Sequence, residues 1–139
     1  MKRSVLFLCT GNSCRSQMAE GWLRYLARDR FDVASAGTHP VGINPMAVEV
    51  MKEVGVDISQ HHSKSIEEFK DHAFDVVITV CDQAKESCPI FPHVQSLLHW
   101  SFEDPASVTG SKEGRLQAFR RIRDRIGQAI QQFSREHGQ

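Results

Sequence analysis

The sequence predicts a small, doubly wound α/β domain with about four parallel strands. Three observations carry this. The apolar runs Val5-Leu6-Phe7-Leu8 and Phe74-Asp75-Val76-Val77-Ile78-Thr79-Val80 read as strands covered on both faces, the pattern of central strands in a parallel sheet. Stretches with apolar residues at helical spacing alternate with them. At 139 residues the chain suffices for one well-buried domain, taken as residues 1–139, and is short for two.

Residues 4–9 form the first strand. The helix after it places Met18, Ala19, Trp22, Leu23 and Leu26 on one face, which packs on the sheet. Phe31-Asp32-Val33-Ala34-Ser35-Ala36 alternates weakly and stops at Gly37, giving a second strand. Asn44-Pro45 supplies a helix cap and a first-turn proline, and the stripe Met46, Ala47, Val50, Met51 and Val54 runs on to Gly55. From Asp57 to His72 the sequence is polar and predicts a surface loop with one short helical turn at Ile66-Glu67-Glu68-Phe69. The run from Phe74 ends at Cys81. A polar segment from Asp82 to Pro92 separates it from a weaker strand at Val94 to His99, and a connection from Trp100 to Gly114 carries Asp104-Pro105. The last helix lines up Leu116, Phe119, Ile122, Ile126, Ile130 and Phe133, with its arginines as a solvated face.

Composition removes several function classes. Formal charge is zero with 24% charged residues, so no basic field gathers nucleic acid or anionic lipid. Met1-Lys2-Arg3 and the apolar run after it imitate a signal peptide. That run stops at Cys9-Thr10-Gly11 without a small-residue cleavage site, so a cytoplasmic location is expected. No run approaches the roughly 18 apolar residues that span a bilayer. In a reducing compartment, four cysteines read as reactive or structural thiols rather than a disulfide framework. Cys81, Cys88, His93 and His99 could be counted as zinc ligands, but the thiols are wider apart than the usual two to four intervening residues. No metal and no cofactor is expected. The remaining histidines read as surface residues.

The chemistry concentrates in Cys9-Thr10-Gly11-Asn12-Ser13-Cys14-Arg15-Ser16, a loop between the first strand and the first helix. A strand delivering its last residue into such a turn aims backbone N–H groups and a helix N-terminus at one point, which suits a tetrahedral oxyanion. The same donors stabilise the anion of Cys9 and favour its thiolate. Arg15 offers a planar fork for two oxygens of that anion. Ser16 reads as a helix N-cap, as a hydroxyl bonded to Cys9, or as both. Cys14 reads as a loop-packing thiol, with a protective Cys9–Cys14 disulfide as the other use. Ligands of doubly wound sheets sit beyond the strands' carboxyl ends, so Cys9 and Cys81, each ending a strand, share one edge.

Residues 9–22, Cys-Thr-Gly-Asn-Ser-Cys-Arg-Ser-Gln-Met-Ala-Glu-Gly-Trp, resemble the thioredoxin-coupled arsenate reductases. The resemblance continues through Ser35-Ala36-Gly37, Met51-Lys52-Glu53-Val54-Gly55, Val80-Cys81, Cys88-Pro89, His99-Trp100 and Asp104-Pro105. It implies the low-molecular-weight tyrosine phosphatase fold, a three-layer sandwich on a four-stranded parallel sheet of order 2-1-3-4. The phosphatases lack the Cys81/Cys88 pair, and the tyrosines that follow their Asp-Pro are replaced here by Ala106-Ser107. A phosphohydrolase using Cys9, Arg15 and Asp104 alone is the alternative. Where some relatives hold a potassium ion with oxygens matching Asn12, Glu20 and Ser35 and an aspartate, this chain has Lys64, whose ammonium would substitute for the ion.

The resemblance implies a redox route for arsenate, with phosphate and sulfate as competing oxyanions. Cys9 attacks As(V), Arg15 and the loop from Thr10 to Ser16 hold the oxyanion, and Asp104 protonates the departing hydroxyl. Cys81 then attacks the Cys9 sulfur and arsenic leaves as As(III) with the bonding pair, which phosphorus cannot accept. Cys88 next attacks Cys81, and the Cys81–Cys88 disulfide is reduced by thioredoxin. A monomer is expected.

Overall fold

The structure, a computed structural model, describes residues 2–81 and 94–137. β1 (Arg3–Cys9) lies between β2 (Phe31–Gly37) and β3 (Val76–Thr79), and β4 (Ser96–His99) forms the far edge. All pairings are parallel in the order β2-β1-β3-β4. This is the predicted topology. Val5 through Leu8 and Val76 through Ile78 are fully buried, which explains why neither run alternates. Leu8 is level with both Ala36 and Thr79, so the strands finish together and everything that follows them gathers at one edge.

Three α-helices are found among the described residues: α1 (Arg15–Ala27), α2 (Pro45–Glu53) and α3 (Lys112–His137). α1 begins at Arg15, directly on the loop. Asn44 caps α2 as predicted, its Oδ1 accepting from Met46 N at 2.8 Å with Pro45 in the first turn. Gly55, at φ 83, turns the chain out of that helix. α1 does not spend its whole apolar face on the sheet. Trp22 lies against α3, where its Nε1 donates to Arg123 O at 3.0 Å, and Gly127 leaves room for the ring. Each large side chain buried in this core contributes about 1.5–3 kcal/mol.

Two expectations need correction. The arginines of α3 are not all solvated: Arg123 is buried, donating to Val50 O at 3.0 Å and Glu53 Oε1 at 2.8 Å, while Arg120 grips Glu53 and Glu113. The charge run therefore docks α3 onto α2. Nor are residues 57–72 a plain surface loop. Ile58 and Ile66 are buried, and the segment runs beside β2, where Gly37 N donates to Lys64 O at 2.8 Å. His61, Ser63 and the backbone of Lys64 bond polar groups inside the protein while residues such as Gln60 and Glu67 are exposed, so the polar pattern as a whole resembled exposure.

Candidate active site

The loop between β1 and α1 is held from outside by its own carbonyls. Those of Thr10, Gly11 and Ser13 accept from His39 N at 2.8 Å, Val41 N at 3.0 Å and Asn44 N at 3.1 Å. Asn12 O accepts from Ser63 Oγ at 2.7 Å. Across a trans peptide the next N–H points the opposite way, so the amides of residues 11–14 turn inward as an anion-binding nest. One of them, Asn12 N, donates to Cys9 Sγ at 3.1 Å. Asn12 adopts φ 48, a left-handed conformation that asparagine tolerates better than most residues.

A cavity of about 350 Å³ opens over this nest. Cys9, Thr10, Gly11, Ser13, Cys14, Arg15 and Asp104 line it together with His39, Val41 and Ala106. Asn12 and Ser16 lie fully buried behind it. Arg15 Nη1 donates to Phe102 O at 3.1 Å, and its Nη2 stands 3.8 Å from Asp104 Oδ2. That couples the arginine to the segment carrying the carboxylate. Asp104 itself does two jobs: Oδ1 caps the turn Pro105–Ser107 through Ala106 N at 3.0 Å, and the side chain, 44% exposed, faces the cavity.

Ser16 does not cap α1. The cap position is Cys14, whose side chain makes no capping bond, and the Ser16 hydroxyl instead lies 2.9 Å from Cys9 Sγ. Cys9, Cys14 and Cys81 are free thiols, so no Cys9–Cys14 disulfide is present. Burial pushes the Cys14 thiol up to about 12, with the Ser13 hydroxyl working against it. Cys14 is thus kept protonated while its loop neighbour meets donors. Cys81 is buried and is not part of the cavity wall, but its Sγ lies 3.4 Å from Thr10 Oγ1, the residue next to Cys9. The structure brings Cys9, Arg15, Asp104 and the loop together and sets Cys81 immediately beside them. Cys88 and His93 lie outside the described residues.

The bracing layer behind the loop was read only in part: Asn12, Glu20, Ser35 and Lys64 were grouped through the resemblance and lie together, whereas Gln17 and His61 were not singled out. Fully buried Gln17 gives its amide to Asn12 Oδ1 at 2.9 Å and His62 O at 3.1 Å, and its Oε1 faces His61 Nδ1 at 3.0 Å. No sequence signal marked it, because Gln17 lies opposite the apolar stripe of α1, on the side of Glu20 and Arg24. His61, expected at the surface, is half-buried; desolvation holds its pKa below the ordinary 6.5, aided by Arg24 and Lys64 and opposed by Glu20. Glu20, almost wholly buried, accepts from Ser35 Oγ at 2.6 Å and pairs with Arg24 Nε at 2.9 Å. Lys64 Nζ stands 4.0 Å from its other side. With two fixed cations around the one carboxylate, the group does not fit a potassium ion.

A family model described as low molecular weight phosphotyrosine protein phosphatase matches residues 4–138. The chain is 47% identical over 133 residues to an arsenate reductase of Halalkalibacterium halodurans, covering 96% of each. Two solved structures are similar throughout. An arsenate reductase in the phosphate-binding state superposes with TM-score 0.77 at 32% identity, over 96% of this chain and 98% of that one. An arsenate reductase in the oxidised state gives 0.81 at 32% identity, over 94% and 95%.

Proposed function

This chain belongs to the low molecular weight phosphotyrosine protein phosphatase family, and from that premise we propose that it is the redox variant of the fold, an arsenate reductase acting through three thiols. The observation that carries the redox reading is the second thiol: Cys81 Sγ is 3.4 Å from the residue that follows the candidate nucleophile. A phosphohydrolase has no use for it. Relatives solved in phosphate-binding and oxidised states support the same pairing of oxyanion site and thiol chemistry.

Arsenate enters the cavity and is held by the inward amides and Arg15. The Cys9 thiolate, receiving hydrogen bonds from Asn12 N and facing the Ser16 hydroxyl, attacks arsenic. A hydroxyl leaves with a proton from Asp104, giving a thiol-arseno adduct. Cys81 then forms a sulfur–sulfur bond to Cys9. The sulfur–arsenic bond breaks toward arsenic, which gains two electrons and departs as arsenite. Thr10, bonded to the Cys81 sulfur, orients that second attack. Cys88 attacks Cys81, releases Cys9 as thiolate, and leaves a Cys81–Cys88 disulfide for a thioredoxin-like dithiol protein to reduce. On this proposal the protein acts as a cytoplasmic monomer. Among the described residues no helix is long and apolar enough to cross a membrane.

Cys81→Ser tests this reading. It abolishes arsenite production under thioredoxin turnover, while any hydrolysis of an aryl phosphate, which needs only Cys9, Arg15 and Asp104, survives. Undiminished arsenite production by Cys81→Ser would refute the relay and leave the phosphohydrolase account standing.

A further inference from the structure

The hydrogen bonds behind the loop have a direction, and it can be read from the groups whose donor or acceptor character is fixed. Lys64 N is a backbone donor, so the Asn12 atom 2.8 Å from it is the amide oxygen. The Asn12 Nδ2 group therefore points the other way, donating to Ser16 Oγ at 2.8 Å and Ser35 Oγ at 3.0 Å. Ser35 has its own proton to place, and Glu20 Oε1, an acceptor only, takes it at 2.6 Å. Ser16, already accepting from Asn12, keeps its proton for the Cys9 sulfur at 2.9 Å.

We propose that Glu20, acting through Ser35, is a positioning residue that holds the Asn12 amide so that Ser16 is committed as a hydrogen-bond donor to the Cys9 thiolate. The inference rests on Cys9 being the nucleophile. With the Asn12 amide turned over, its oxygen would face both serines, Ser16 would donate to it, and the sulfur would lose a donor. Three anchors prevent this: the Lys64 backbone N–H and the Gln17 amide at the oxygen, and the Ser35–Glu20 pair on the other side. The arrangement needs a carboxylate but not its field. Arg24 on α1 and Lys64 beside β2 flank Glu20, with His61 Nδ1 at 3.9 Å, and offset its charge near a sulfur that must itself be an anion. That gives the two cations a purpose.

The sign of one effect separates orientation from electrostatics. Glu20→Gln removes a negative charge and leaves Arg24 and Lys64 uncompensated, so a purely Coulombic role would make Cys9 more reactive. Loss of orientation makes it less reactive. The experiment is the rate of Cys9 alkylation by iodoacetamide at mildly acidic pH, with the modified residue located by peptide mass spectrometry. Glu20→Gln and Ser35→Ala are each expected to slow it about tenfold, the effect of one hydrogen bond to an anion. Ser16→Ala slows it equally, and adding Ser35→Ala to Ser16→Ala produces no further change, because the two residues act in series. An unchanged or faster rate in Glu20→Gln, or additive losses in the double variant, would overturn the proposal. If Glu20→Gln fails to fold, Ser35→Ala, which leaves all three charges in place, decides alone. Arsenite release by the wild-type protein, measured alongside, keeps failure of this inference distinct from failure of the reductase reading.

Discussion

Gly37 closes β2 directly beneath the loop, and Gly37→Ala is predicted to damage catalysis far more than stability. A Cβ there would stand 2.6 Å from Thr10 O and 2.9 Å from Asn12 N, against 3.4 Å or more for ordinary contact. Both atoms are backbone, so no side chain can swing away. The loop must retreat by most of an ångström. Overpacking of this kind costs about 1–3 kcal/mol, which for a domain of this size lowers Tm by roughly 4–12 °C. The displaced atoms carry Cys9's hydrogen-bond donor and the amides of the nest, and a misplacement near 1 Å costs about 100-fold in rate. Differential scanning fluorimetry and thioredoxin-coupled arsenate turnover read the two effects separately. A variant with wild-type kcat/KM would refute the claim that the β2 terminus sets the loop's position.

Arg15→Lys loses the fork that spans two oxygens and the bond to Phe102 O, and kcat/KM for arsenate is predicted to fall about 10²–10³-fold with Tm nearly unchanged. The folded protein disfavours a proton on His61 that the unfolded chain accepts at the ordinary 6.5, so stability is full above that pH and is lost as pH falls below it. Thermal melts from about pH 7 to 5 should show Tm falling, and His61→Gln, which keeps a donor for Gln17, should flatten the profile. Potassium in place of sodium at equal ionic strength is predicted to change neither Tm nor kcat/KM, because Lys64 and Arg24 already flank Glu20; a potassium-specific gain in either would contradict the charge assignment.

The strands and the nucleophilic loop were legible because their signals are local. An unbroken apolar run followed by Cys9, five small or polar residues and Arg15 states both the strand and the cradle within one short stretch. Asn44-Pro45 announced its helix for the same reason. The supports were not legible, because a polar side chain that bonds inside the protein looks in sequence like one that bonds to water. Gln17 and Ser63 bond the loop, and His61 bonds Gln17, through contacts that only the fold creates. Arg123 illustrates the point from the other direction: within a charge run it read as solvated, yet it is buried against Val50 and Glu53. Ser16 was half legible, since a serine near a helix start suggests a cap until the neighbouring sulfur is seen.

The three-thiol relay is tested most directly in a single turnover. Fully reduced protein is mixed with arsenate, or with phosphate as control, without any external reductant. Arsenite is quantified and disulfides are mapped by peptide mass spectrometry. The account predicts one equivalent of arsenite and a Cys81–Cys88 bridge with arsenate, and neither with phosphate. Four free thiols and no arsenite would contradict it.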